Sequence, residues 1–181
     1  MTTFQTLLGT AAATLLSAGM AFAAGSDSTE PPTPTETTTT CEGGQIFDAN
    51  TGLCVDVKSE AVTDDMRYEA ARELAYAGAY DRALAVLASA ENQSDPRILN
   101  YFGFTNRKLG NQADAEQFYL AAIEANPDYI LARSYYGQGL AAKGDLAGAE
   151  AQLVEIAQRG GEDTWAFNSL ERAIGGEDFS Y

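Results

Sequence analysis

The sequence contains no histidine, only two cysteines and one tryptophan among its 181 residues. Without histidine the chain cannot build a serine–histidine nucleophilic couple, and two cysteines supply too few soft ligands for a structural zinc site. It also lacks a phosphate-binding glycine loop, and no carboxylate pair is marked by its spacing or by an apolar setting. These absences predict a protein that is not an enzyme and that holds no metal or cofactor.

Basic residues are scarce as well. The chain has 11 Lys and Arg against 26 Asp and Glu, which gives a net charge of −15, and all of these residues lie beyond residue 24. Nucleic acids and anionic membrane surfaces are bound by basic faces, so the composition excludes both classes of partner. The acidity is typical of a soluble, self-repelling surface.

The N-terminal segment predicts export. No charged residue occurs from Leu7 to Ala24, and Ala21-Phe22-Ala23 matches the small-x-small cleavage pattern of a secretory signal peptide. We therefore assign residues 1–23 as a signal peptide, with the periplasm of a Gram-negative bacterium as the preferred location and no stable membrane insertion after cleavage. The alternative is an uncleaved anchor, because the apolar run is just long enough to span a bilayer.

Residues 24–40 form a Thr/Pro-rich linker. From Gly25 onward the segment reads GSDSTEPPTPTETTTT and holds only Ser, Thr, Pro, Gly and acidic residues. Such a composition cannot bury an apolar core, and the prolines stiffen the chain. It predicts a disordered tether, with a glycosylated stalk as the alternative.

The two cysteines bracket a short segment with hairpin character, residues 41–57. Cys41 and Cys54 are expected to form a disulfide in an exported protein. Turn residues and short apolar stretches alternate between and beside them: Gly43-Gly44, Ile46-Phe47, Asn50-Thr51-Gly52, Leu53 and Val55. We predict two short strands stapled by the disulfide, which stabilises a loop of this size by roughly 3 kcal/mol in the chain-entropy model.

This segment resembles one fragment of the peritrophin-type chitin-binding pattern, in which cysteines surround a G-x-x-F-D stretch. Gly44, Phe47, Asp48 and the cysteine pair match it, whereas the remaining cysteines of that domain are absent. The resemblance implies carbohydrate or cell-wall binding as one role for the hairpin. The missing cysteines favour a structural staple instead.

The rest of the chain, residues 62–176, repeats itself. A shift of 34 residues aligns Gly103 with Gly137 and brings other small and large residues into register: Phe102 with Tyr136, Gly110 with Gly144, Ala115 with Ala149, and Tyr119 with Leu153. A backward shift of 32 finds the frame again at Ala71, Gly78, Ala83 and Leu87. A fixed period of this length is typical of repeat architectures, in which each copy supplies the core of its neighbour.

The period and the matched positions resemble the tetratricopeptide repeat (TPR), a helix–turn–helix unit of 34 residues. Leu99 and Arg133 stand where that pattern has Trp, and Gly161 replaces the Pro that Pro127 supplies in the middle copy. The resemblance implies an all-α fold, a right-handed helical-hairpin solenoid of about three TPR units preceded by the stapled hairpin. The repeats would span about 64–95, 96–129 and 130–163.

Six helices are predicted from apolar periodicity, caps and closing glycines, near 64–77, 80–91, 96–109, 112–125, 128–143 and 146–159. A further segment, 162–174, reads as a capping helix whose Trp165, Leu170 and Ile174 would face the last repeat. A repeat array needs such a cap because its terminal apolar face has no neighbour.

The first helix of each pair would line a concave face, and residues there that the core does not need are candidates for partner binding. They mix aromatic, amide and cationic side chains: Tyr68, Arg72, Tyr76, Asn100, Phe104, Arg107, Lys108, Ser134 and Gln138. Such a mixture suits a protein or peptide partner with acidic groups. The alternative is that the cations offset nearby carboxylates on a solvated face.

The leading hypothesis is an exported, non-catalytic TPR module that holds a protein or peptide. One rival is a structural component of an envelope assembly that self-associates, and another is carbohydrate binding through the hairpin. Some TPR proteins clamp a partner's C-terminal carboxylate with a set of Lys and Asn residues. That arrangement is not reproduced in this sequence.

Overall fold

The structure is a computed structural model and describes residues 28–177. The predicted signal peptide lies outside these residues. The described chain forms eight helices and one two-stranded sheet, in the order α1 Glu36–Thr39, β1 Gln45–Asp48, β2 Leu53–Asp56, α2 Asp64–Tyr76, α3 Tyr80–Ala88, α4 Pro96–Lys108, α5 Gln112–Ala125, α6 Ile130–Ala142, α7 Leu146–Gln158 and α8 Trp165–Ile174. The predominantly helical fold, the six predicted helices and the C-terminal helix are confirmed.

Local signals in the sequence set the helix boundaries. Asp95 caps α4 by accepting a hydrogen bond from the Arg97 amide, and Asp145 caps α7 by accepting one from the Gly148 amide. Asn111 stands at the corresponding position before α5, where the sequence favours a cap, but its side chain donates to the Asn106 Oδ1 and makes no cap hydrogen bond. Three glycines close α2, α4 and α6 at positive φ as predicted: Gly78, Gly110 and Gly144.

The helices pack as consecutive pairs, α2 on α3, α4 on α5 and α6 on α7. The first helix of each pair also contacts the next first helix, from α2 to α4 to α6 to α8. Gly103 shows why the period demands small residues, since a Cβ there would lie 2.6 Å from ring atoms of Tyr119. One core runs from the hairpin to the start of α8, and a second lies among Leu140, Ile156 and Leu170.

The stapled hairpin is confirmed and packs on the first helix pair. β1 and β2 are antiparallel, and the Cys41–Cys54 disulfide joins β2 to the segment before β1 with a Cα–Cα distance of 5.5 Å. Ile46 of β1 is fully buried in the same core as Leu74 of α2. The Arg82 guanidinium of α3 donates to the main-chain carbonyls of Thr37, Gly43 and Gln45. The hairpin therefore covers the N-terminal end of the helix stack.

Residues 28–40 are the described part of the linker predicted at 24–40; we call them the strap, and hydrogen bonds tie them to α2. The strap ends in the helical turn α1, where Thr37 is buried and its hydroxyl accepts a hydrogen bond from the Phe47 amide. Thr35 and Thr38 donate to the carboxylate of Glu73 on α2. Composition showed correctly that the segment has no apolar core, but its hydroxyls are satisfied by a buried carboxylate instead.

The C-terminal helix α8 packs on α6 and α7. Leu170 and Ala166 are fully buried, while Trp165 and Ile174 are half-buried. Among residues 28–177, no helix is long and apolar enough to cross a membrane.

Candidate functional site

The nine predicted site residues lie on three successive first helices. Tyr68, Arg72 and Tyr76 belong to α2, the next four to α4, and the last two to α6. Their solvent exposure, however, does not match an open groove. Three are half-buried: Tyr76, Arg107 and Lys108. Six are buried, which contradicts the expectation that the core does not need them: Tyr68, Arg72, Asn100, Phe104, Ser134 and Gln138.

A chain of aromatic contacts explains much of this burial. Tyr101 packs edge-on against Tyr68 and Tyr135, with ring centroids 5.7 and 6.1 Å apart, and Tyr135 meets Trp165 at 6.1 Å. Because these rings link α2, α4, α6 and α8, the aromatic residues of the first helices hold neighbouring pairs together. Sequence reasoning missed Tyr101 and Tyr135, although they recur 34 residues apart.

A second layer of aromatic contacts involves two predicted site residues. Tyr76 stacks on Phe104 with centroids 5.2 Å apart, and its hydroxyl lies 2.6 Å from the Tyr135 hydroxyl. Burial raises the pKa of Tyr135 and of Tyr101 well above the ordinary value of 10. Both phenols are therefore neutral at physiological pH and serve as packing and hydrogen-bonding groups.

Ser134 and Gln138 belong to a buried polar network that fastens α8. The Ser134 hydroxyl donates to the Ala166 carbonyl at 2.7 Å and lies 3.1 Å from the Ser169 hydroxyl. The Gln138 amide donates to both hydroxyls, at 3.1 and 3.2 Å. These contacts give the two residues a structural role, because buried hydroxyl and amide groups must be paired.

Asn100 occupies the position equivalent to Ser134 but lacks such a network. It is fully buried, and within residues 28–177 neither its amide oxygen nor its amide nitrogen has a hydrogen-bond partner. A buried amide without partners is costly and calls for a water or a bound group. Asn100 thus adds unused hydrogen-bonding capacity to the middle of the predicted face.

Arg72 forms hydrogen bonds with main-chain carbonyls as well as an ion pair with a side chain. Its Nη2 donates to the carbonyl of Ser28 at 3.3 Å and to the carbonyl of Glu30, while its Nη1 pairs with Glu69 at 3.1 Å. The residues it holds have no helical or strand structure. A residue predicted to bind a partner therefore binds the backbone of an extended segment of its own chain.

Arg107 and Lys108 mark the opposite, C-terminal end of the first helices. The Arg107 guanidinium lies 5.7 Å and the Lys108 ammonium 5.6 Å from the centroid of the Phe104 ring. A cavity of about 400 Å³ opens beside them where α4, α6 and α8 end, lined by Arg107, Gln138, Ala141, Ala142, Ala173, Gly176 and Glu177. Ala141 and Ala142 stand on α6 at the positions that Arg107 and Lys108 occupy on α4, and their small side chains leave the space for this cavity.

In the described part of the chain, no group of three or more Cys, Asp or Glu side chains is placed to hold a metal ion. No protein-family model, no curated protein and no solved structure matches the chain. The resemblance to the TPR family is thus a prediction from the sequence.

Proposed function

We propose that the protein is an exported, non-catalytic binding module that holds a protein or peptide partner along its first helices, in a right-handed solenoid of about three TPR-like units. The observation that carries this proposal is the cavity at the ends of α4, α6 and α8. It joins the Arg107 cation, the Gln138 amide and a floor of small apolar side chains, with Glu177 at its edge paired to Arg172, and it has room for a peptide chain end or an acidic side chain.

The cations at this end are held in place before any partner arrives. The Arg107 Nε donates to the Tyr119 hydroxyl at 3.3 Å, and the Phe104 ring lies beneath both charges. In a chain of net charge −15, such a cationic position attracts an acidic ligand that the remaining surface repels. Preorganised charged groups lose less side-chain entropy when a ligand binds.

The test is charge reversal at the cavity. The immobilised protein is used to capture partners from a periplasmic extract, and the captured proteins are identified by mass spectrometry. Lys108→Glu, beside the cavity, should weaken capture, and adding Arg107→Glu, which reverses the charge that lines the cavity, should abolish it.

Lys58→Glu is the control. It reverses the charge of an exposed lysine that follows β2 and is not among the residues that line the cavity. It should leave the captured set unchanged. If the double variant still captures the same partners as the native chain, the cations at the ends of the first helices are not the binding site and the proposal is wrong.

A further inference from the structure

The strap is bound by two adjacent residues of α2, Arg72 and Glu73. Both are buried, with exposed fractions of 5% and 6%. Their charges are opposite, so together they present hydrogen-bond donors for main-chain carbonyls and acceptors for amides and hydroxyls. Such a pair can bind an extended backbone together with the hydroxyl side chains that it carries.

The donor half of this pair is Arg72, which takes the carbonyls of Ser28 and Glu30. The strap continues through Pro31, Pro32 and Pro34, which have no amide protons and favour an extended backbone. A segment that is extended before it binds loses little conformational entropy on binding. The composition of the strap therefore suits a peptide whose main-chain carbonyls are bound by a guanidinium group.

The acceptor half is Glu73. Its carboxylate accepts four hydrogen bonds, from the amide and hydroxyl of Thr35 at 2.7 and 2.6 Å and from those of Thr38 at 3.2 and 2.6 Å. Within residues 28–177 no cation forms an ion pair with Glu73. A buried carboxylate is costly without donors, so the two threonines supply what stabilises its charge.

We propose that Arg72 and Glu73 form a binding site for an extended, proline-containing segment that ends in a T-x-x-T turn, and that the strap is its resident ligand. The strap also crosses to the starts of α6 and α8, where Ser28, Thr29 and Glu30 share a cavity of about 430 Å³ with Tyr129, Ile130 and Thr164. It thus occupies the predicted partner-binding face in cis. An incoming segment of the same chemistry must displace it, a consequence that rests on the proposed function.

The test loosens the strap and offers its sequence in trans. In the full chain, Thr35→Val with Thr38→Val removes both hydroxyls that reach Glu73 and keeps the side-chain shape. The matched control is Thr39→Val with Thr40→Val, which removes two exposed hydroxyls that bond only within the strap. The probe is a fluorescent peptide with the sequence of residues 28–40, and its binding is followed by anisotropy.

Binding of the peptide to the loosened variant should be at least about tenfold tighter than to the native chain or to the control, since hydrogen bonds to a buried charge are strong. Hydrogen exchange should show that the amides of Thr35 and Thr38 lose protection in the loosened variant alone. Adding Arg72→Gln to the loosened variant should remove peptide binding.

Three results would overturn the inference. One is equal peptide binding by all variants, which means that the strap does not compete. Another is an unprotected strap without peptide binding, which means that Arg72 and Glu73 form no peptide site. The third is an unchanged exchange pattern in the loosened variant. None of these measurements uses a partner, so they can fail while capture through Arg107 and Lys108 succeeds, and the reverse also holds.

Discussion

The two ends of the helix stack are covered in different ways. At the N-terminal end, the strap and the hairpin cover α2 and α3 with irregular backbone, a disulfide and hydrogen bonds in which Arg82 donates and Glu73 accepts. At the C-terminal end, one amphipathic helix, α8, covers α6 and α7 with apolar side chains. Both solutions remove an apolar face from water, as the ends of a repeat array require.

The difference shows what each cover depends on. α8 depends on the hydrophobic effect and on matched shapes at Gly137 and Leu170. The N-terminal cover buries Ile46 and Val57 but also depends on a covalent link, because two strands are too few to be stable alone. We therefore expect the C-terminal end to be sensitive to lost volume and the N-terminal end to be sensitive to reduction.

Removing the C-terminal cover should have the largest effect. Deletion of residues 162–181 exposes the apolar side chains of Leu140 and Ile156 that α8 now covers. We expect the melting temperature to fall by several degrees, or the protein to aggregate, as measured by circular dichroism and gel filtration. An unchanged melt would show that α8 is not needed as a cover.

The single change Leu170→Ala measures how much the packing of α8 contributes to the free energy of unfolding. Leu170 is fully buried, so the cavity should cost about 2–5 kcal/mol of the free energy of unfolding. Glu171→Ala is the matched control on the exposed side of α8 and should change the free energy by less than about 0.5 kcal/mol.

Breaking the disulfide should affect the N-terminal end by a smaller amount. Cys41→Ser with Cys54→Ser reopens a loop with a sequence separation of 13 residues, which should cost roughly 3 kcal/mol in urea denaturation. Helical circular dichroism at 25 °C should change little, because the sheet packs mainly on α1 and α2. Stability equal to that of the native chain would mean that packing on α2 alone holds the hairpin.

The helices could be predicted because their signals are local. Asp95 and Pro96 stand at the start of α4, and glycines stand where α2, α4 and α6 close. The strap could not be predicted, because its partner Glu73 lies 38 residues from Thr35 and a single glutamate within a helix carries no sign of such a role. Composition indicates whether a segment can build an apolar core, but not whether a distant charge will bind it.

The candidate site residues lie on the first helices of the pairs, but six of the nine are buried. Repeat spacing placed Asn100 and Ser134 at equivalent points of α4 and α6. It did not show that Tyr101 and Tyr135, beside them in sequence, would fill the space between the helices. Exposure depends on which neighbouring side chains meet, and the spacing of one helix does not contain that information.

A third substitution probes the close approach at the C-terminal end. In Gly137→Ala the new Cβ would lie 2.7 Å from both terminal methyl groups of Leu170, so the Leu170 side chain or α8 must shift, at a cost of about 1–3 kcal/mol. Gly139→Ala on the same helix is the control, because its Cβ would make only an ordinary contact with Arg107 at 3.4 Å. Urea denaturation that shows equal stability for the two variants would contradict the tight contact between α6 and α8.

The smallest expected effect is a pH dependence near the N-terminal end. Asp64 at the start of α2 accepts hydrogen bonds from the main-chain amides of Glu91 and Asn92 and pairs with Arg67. Burial acts to raise the pKa of Asp64, but these donors outweigh it and hold the pKa below the ordinary value of 3.8. Asp64→Asn should therefore cost about 1 kcal/mol at pH 7.

Because the pKa of Asp64 is lower in the folded chain, its stabilisation is complete above pH 3.8 and is lost as the pH falls through the folded-state value. The difference in unfolding free energy between the native chain and Asp64→Asn should thus be constant from neutral pH to about pH 5 and shrink below pH 4. Asp81→Asn, an exposed aspartate of α3, is the control and should change stability by less than about 0.5 kcal/mol at pH 7. If the difference in unfolding free energy stayed constant down to pH 2, the charge of Asp64 would not contribute to its contacts with the loop before α4.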